Sequence, residues 1–172
     1  MQIEKRPGAC MIIYNSDSGY VYMGQRSDTQ KWCFAGGKQE KSDQNDSFKT
    51  ALRELKEEFG ILLDPGEKVH YLGDCVVPGF KRIKHENAED TFNPTWYNTS
   101  VYLVVTTKNF KHIPTDGEMN KIIKVDIDDI FTQLGDKLSP STIIVANLVI
   151  CFIKNFINKK GEINYAKLGI QR

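Results

Sequence analysis

Residues 34–61 read FAGGKQEKSDQNDSFKTALRELKEEFGI, and the fold turns on this stretch. Phe48, Ala51, Leu52, Leu55 and Phe59 fall at i, i+3, i+4, i+7 and i+11, one stripe of a helix turning about 100° per residue. Asp46 is suited to cap its start and Gly60 to follow its end, so the spacing predicts a helix over 46–59. Glu54, Glu57 and Glu58 lie at i, i+3 and i+4, away from that stripe, with their carboxylates on one side. A Glu/Lys-rich helical face is usually just solvated. Like charges at this spacing repel by a few tenths of a kcal/mol per pair, however, and alternation with lysine would cost less. Hard divalent cations take carboxylate and phosphate oxygens, which gives the cluster a second reading as a metal site facing a phosphorylated substrate. Arg53, one turn before Glu57, is placed to fix that glutamate's rotamer. Gly36 and Gly37 would let backbone approach a ligand with no Cβ between. Spacing alone leaves both readings open.

Working outward, residues 9–14 (ACMIIY) and 20–25 (YVYMGQ), joined by NSDSG, predict a strand pair. Residues 32–37 (WCFAGG) predict a short strand ending in a glycine turn. Strands are expected at 69–77, at 97–107 with apolar and polar residues alternating, and at 121–125 (KIIKV). The polar stretch 79–95 is expected to be a long irregular loop. DIDDIFTQL predicts a short helix, and Pro140 opens a last helix whose apolar residues extend well beyond one face. The expected architecture is one α/β domain over residues 1–172, a mixed β-sheet with helices packed on it.

A chain of 172 residues suffices for one full hydrophobic core. Net charge is +1, which excludes a basic footprint over the whole surface of the kind many nucleic-acid binders carry. Cys10, Cys33, Cys75 and Cys151 are widely separated with no C-x-x-C pair, as expected of reduced thiols in a cytoplasmic protein. The start of the chain lacks a signal-peptide h-region, and 142–153 is too short to span a bilayer. No membrane association is expected.

The segment 53–61 resembles the signature of the Nudix (MutT-like) hydrolases, G-x5-E-x7-R-E-U-x-E-E-x-G-U, with U aliphatic. Arg53, Glu54, Leu55, Glu57, Glu58, Gly60 and Ile61 match its second half. The first half departs: two extra residues separate Gly37 from Arg53. Counted back from Arg53, the isolated Glu of the pattern falls on Asn45; counted from Gly37, it falls on Asp43. A two-residue insertion before the helix accounts for this, with Asp43 or Asp46 standing in for that Glu.

The resemblance implies the Nudix fold, an α/β/α sandwich, and a metal-dependent attack of water on a diphosphate linkage. The implied metal ligands are Glu54, Glu57, Glu58 and the carbonyl of Gly36, holding Mg²⁺ or Mn²⁺. Arg53 would orient the glutamates, Glu57 would be central to catalysis, and Gly37 and Lys38 would line the phosphate path. Glu118 is the first candidate for a general base supplied by a later loop, ahead of Asp116, Glu86 and Glu89. Arg82, within 81-KRIKH-85, is a candidate for a second phosphate, or part of a merely solubilising loop. The implied substrate is a small-molecule nucleoside diphosphate derivative, and Val77-Pro78-Gly79, similar to an element of ADP-ribose pyrophosphatases, leans toward ADP-ribose or a nucleotide sugar. The alternatives are a house-cleaning nucleoside triphosphate pyrophosphatase, an mRNA-cap or dinucleoside polyphosphate hydrolase (capped RNA being the only nucleic acid implied), and a nucleotide sensor without turnover. The last apolar helix could complete its own core or pair in a homodimer.

Overall fold

The structure is a computed structural model and describes residues 5–83, 91–114, 117–158 and 160–168, the side chains of 80–83, 92 and 166 excepted. Its elements run β1 (Lys5–Asn15), β2 (Tyr20–Arg26), β3 (Trp32–Cys33), β4 (Ala35–Lys38), α1 (Ser47–Phe59), β5 (Val69–Ile83), β6 (Thr91–Thr106), β7 (Met119–Asp126) and α2 (Pro140–Phe156). They form the mixed sheet and flanking helices expected from the sequence.

Strand β1 is the axis of the sheet. Along one edge it pairs in parallel with β6, from Lys5↔Trp96 to Asn15↔Thr106. Its other edge is divided. Gly8–Met11 pair with β4, whereas only Tyr14 and Asn15 pair with β2. The two strands thus diverge, and β4 with its glycines fills the gap. Strand β7 lies outside β2, and β5 forms the far edge beside β6.

The period-two alternation of β1 assigns the two cores. Ala9, Met11 and Ile13 pack with Ala51, Leu55 and Phe59 of α1. Cys10 and Ile12 face the other way, into a cluster with Val145, Ala146, Val149 and Ile153 of α2. Each fully buried Leu or Phe in such a layer contributes roughly 1.5–3 kcal/mol. Helix α1 keeps the expected limits. The Asp46 carboxylate accepts from the amides of Phe48 and Lys49, and Gly60, at φ 64°, ends the helix in the left-handed region. Among the described residues, no helix is long and apolar enough to cross a membrane.

The structure corrects three expectations. Residues 79–95 are not one long loop: β5 continues to Ile83 and β6 starts at Thr91, in unbroken register from Gly73↔Val101 to Ile83↔Thr91. Ladder hydrogen bonds are made by the backbone, so a polar sequence can extend a hairpin beyond the core. Pro78 sits within β5, an edge strand, where a missing N–H is tolerated. Gly36 and Gly37 lie in β4 and form no turn; they are needed for close packing. The expected helix in DIDDIFTQL is instead a π turn at Ile130–Leu134 followed by a 3-10 turn at Gly135–Lys137.

Candidate active site

Arg53 is the hub of the site. Its Nε and Nη2 donate to the two oxygens of Asp43, both at 3.1 Å. Nη2 also donates to the Lys38 carbonyl at 3.0 Å. Nη1 stands 2.8 Å from both Glu54 Oε1 and Glu57 Oε2. One guanidinium thereby joins the loop before α1, the end of β4 and two helix glutamates.

Asp43, not Asp46, is the acid joined to Arg53. It is buried in a 3-10 turn, Lys41–Asp43, and also accepts from the Glu40 amide and the Thr50 hydroxyl. The Arg53 hydrogen bonds hold its carboxyl down at about 2. The two extra residues are taken up just after this turn, where Gln44 and Asn45 adopt left-handed φ values of 55° and 61°.

The three glutamates do not share a solvated face. Glu58 is 2% exposed and Glu54 9%, whereas the Glu57 side chain is 47% exposed. Glu58 Oε2 accepts the Gly36 amide at 2.8 Å. In an antiparallel ladder the carbonyl of the same residue leaves on the same side, so that of Gly36 leaves from the same edge of β4 as its amide. The Glu54 carboxylate lies against Gly37, where a Cβ would come within 2.4 Å of its oxygen. Burial pushes Glu54 up to about 7 despite the neighbouring Arg53. It also pushes Glu58 well above the usual carboxylate range, against the Gly36 amide, which favours the charged form.

The donor chemistry fits a hard divalent cation. Every group is an oxygen, and the two buried carboxylates lie where added positive charge would favour their ionised form. Among the described residues no three acidic, histidine or cysteine side chains are already drawn around one point. Arg53 instead lies between Glu54 and Glu57.

Of the other expected residues, Lys38 ends β4 with an exposed side chain 4.0 Å from Glu40. Glu118 precedes β7 and lies 3.4 Å from Arg26, near enough to Glu54 and Glu58 for its charge to oppose their ionisation. The Arg82 side chain, Asp116, Glu86 and Glu89 lie outside the described residues. Sequence reasoning missed Arg26, which ends β2, and its partner Asp28. Only the pairing of β2 with β7 brings Arg26 to Glu118, and no local motif announces it.

A profile of the NUDIX domain matches residues 4–143, most of the chain. The chain belongs to the Nudix family. With the arginine and all three glutamates of the family helix in place, it is a Nudix-type pyrophosphohydrolase. Among curated proteins no sequence match is found. Solved structures resemble most of it. The NUDIX domain of Shewanella oneidensis NrtR complexed with ADP ribose aligns with a TM-score of 0.62 at 14% identity, over 86% of this chain and 88% of that one. The E. coli dihydroneopterin triphosphate pyrophosphohydrolase gives 0.58 at 19% identity, over 87% and 99%. A C. elegans Ap4A hydrolase gives 0.57 at 17%, over 88% and 99%. At such identities the likeness carries the Nudix fold and leaves the substrate open.

Proposed function

We propose that this Nudix protein hydrolyses a diphosphate linkage in a nucleoside diphosphate derivative, with ADP-ribose or a nucleotide sugar as the first choice. Glu54, Glu57, Glu58 and the carbonyl of Gly36 would hold Mg²⁺ or Mn²⁺. When bound, such an ion neutralises phosphate charge and acidifies a coordinated water. The chain's own residues do the rest. Arg53 holds Glu54 and Glu57 in fixed rotamers and ties them to Asp43. Gly37 leaves room for the Glu54 carboxylate beside the phosphate path, and Lys38 offers a cation at its edge. Glu118 would accept the proton lost by water as its oxygen bonds to phosphorus and the bridging P–O bond breaks. The observation that carries this reading is the pair of buried glutamates packed on Gly36 and Gly37, with Arg53 joined to Glu54 and Arg26 beside Glu58.

The test is a hydrolysis panel of ADP-ribose, UDP-glucose, diadenosine tetraphosphate, capped RNA and the deoxynucleoside triphosphates. Each is assayed with Mg²⁺ and with Mn²⁺ in ¹⁸O-enriched water, using the wild type and Glu57→Gln. Cleavage at a diphosphate with ¹⁸O in one product phosphate, and a loss in the variant on the order of 10³-fold, is the expected result. Turnover unchanged in Glu57→Gln, or no turnover of any member while the protein binds ADP-ribose, would overturn it, the latter in favour of a sensor.

A further inference from the structure

Glu118, 56% exposed, stands beside a cation that is itself held in one orientation. Arg26 donates from Nε to Asp28 Oδ1 at 2.9 Å and from Nη2 to Asp28 Oδ2 at 3.0 Å. This two-point grip fixes the guanidinium plane, as a single-point contact would not. The remaining nitrogen, Nη1, is then presented to two acids. It stands 3.4 Å from Glu118 Oε2 and 3.8 Å from the buried Glu58 Oε1.

The backbone supports the same placement. The Ser27 amide donates to the Glu118 carbonyl at 2.7 Å, and the Ser27 hydroxyl donates to the Gly117 carbonyl at 3.0 Å. The β2–β7 register slips between Gln25 and Arg26, and an irregularity of this kind re-aims a side chain at a strand end. The turn carrying Asp28 is closed by the Arg26 amide on the Lys31 carbonyl. An exposed glutamate has several rotamers, and hydration of its carboxylate favours those that point into solvent. A fixed cation between the two acids reverses that preference.

We propose that Arg26, oriented by Asp28, is a positioning residue that holds Glu118 toward Glu58 and so keeps the general base in the site. The inference rests on the function proposed above and adds to it a two-residue support that the family helix does not contain.

The experiment compares wild type, Arg26→Ala, Arg26→Lys, Asp28→Asn, Glu118→Gln and the Arg26→Ala/Glu118→Gln double variant, on the panel substrate the wild type cleaves best. Glu118→Gln is expected to lower kcat about 100-fold or more, as loss of a general base does. Arg26→Ala should lower kcat about tenfold or more with KM little changed, and the double variant should be no slower than Glu118→Gln alone. Arg26→Lys should recover only part, because an ammonium cannot take the two-point grip of Asp28. If Arg26→Ala fails to fold by thermal melting, Asp28→Asn serves in its place, with a smaller kcat loss that vanishes in the Glu118→Gln background. Multiplying losses in the double variant, a rise in KM at constant kcat, or full activity of Glu118→Gln would each overturn the inference while leaving diphosphate hydrolysis intact. A wild type that cleaves no panel member would remove the function and the inference together.

Discussion

Gly36 and Gly37 are neighbours in β4, yet a methyl group at each would meet different things. At Gly36 it would come within 2.5 Å of Cys10 Cβ and 2.7 Å of the Ala9 carbonyl, in a part of the sheet that cannot yield. At Gly37 it would meet the end of the Glu54 side chain, at 2.4 Å from Oε1. A carboxylate can swing where backbone cannot. Gly36→Ala is therefore expected to lose roughly 1–3 kcal/mol or more in urea denaturation. Gly37→Ala should melt within a few degrees of wild type while its turnover falls on the order of 10²-fold, since a displacement of about 1 Å suffices for that. Asp43 supplies a second contrast, set by charge. Its carboxyl is held at about 2 against an ordinary value of 3.8, chiefly by the Arg53 hydrogen bonds. A group held low contributes stability above its unfolded value and loses it as pH falls through the folded one. Asp43→Asn should thus be less stable than wild type at pH 7 by about 2 kcal/mol. The gap should narrow as pH drops from about 4 toward 2, which urea midpoints of both proteins across that range would read. A gap constant with pH would mean that the Asp43 charge does not matter to its grip on Arg53.

Helix α1 was legible in the sequence almost to the residue, because its signals are local. A stripe at helical spacing, a capping aspartate and a terminal glycine each act within a turn or two of chain. The cap gives a direct check. Asp46→Ala should lower stability by about 1 kcal/mol, whereas Asp46→Asn, which keeps an oxygen for the Phe48 and Lys49 amides, should cost only a few tenths. Equal losses would mean that charge and not capping is what Asp46 supplies. The β5–β6 hairpin was legible only where apolar residues alternate, since its outer part is written in backbone hydrogen bonds to which polar side chains are indifferent. Strand β4 was misjudged for a related reason. Two adjacent glycines signal a turn by propensity, but here they serve the close approach of β1 on one side and Glu54 on the other. The choice between Asp43 and Asp46 also lay outside what residue order could decide. It took the 3-10 turn, and the left-handed Gln44 and Asn45 after it, to carry Asp43 back to Arg53.

At the scale of the molecule, the site draws on β2, β4, the turn before α1, α1 itself and the start of β7. The second half of the motif disclosed the helix share, but Arg26 and Glu118 meet through strand pairing alone. This assembly would make the proposed ion binding a property of the folded state. The unfolded chain scatters Gly36, the helix glutamates and their supports, so a cation that binds only the native arrangement must raise its stability. In the folded protein Glu54 and Glu58 are buried together, with Arg53 beside Glu54 and Arg26 beside Glu58. A divalent ion at about 100 times its dissociation constant would add about 2.7 kcal/mol. For a chain of this size that is a rise in Tm of roughly 5–10 °C. Thermal melts with millimolar Mg²⁺ or Mn²⁺ should show the shift, and EDTA should reverse it. Glu58→Gln keeps an acceptor for the Gly36 amide but removes the charge of a proposed ligand, so the variant should fold and lose most of the shift. A metal-induced rise of equal size in wild type and Glu58→Gln would place the ion away from α1, and no rise in either would remove the metal from this helix altogether.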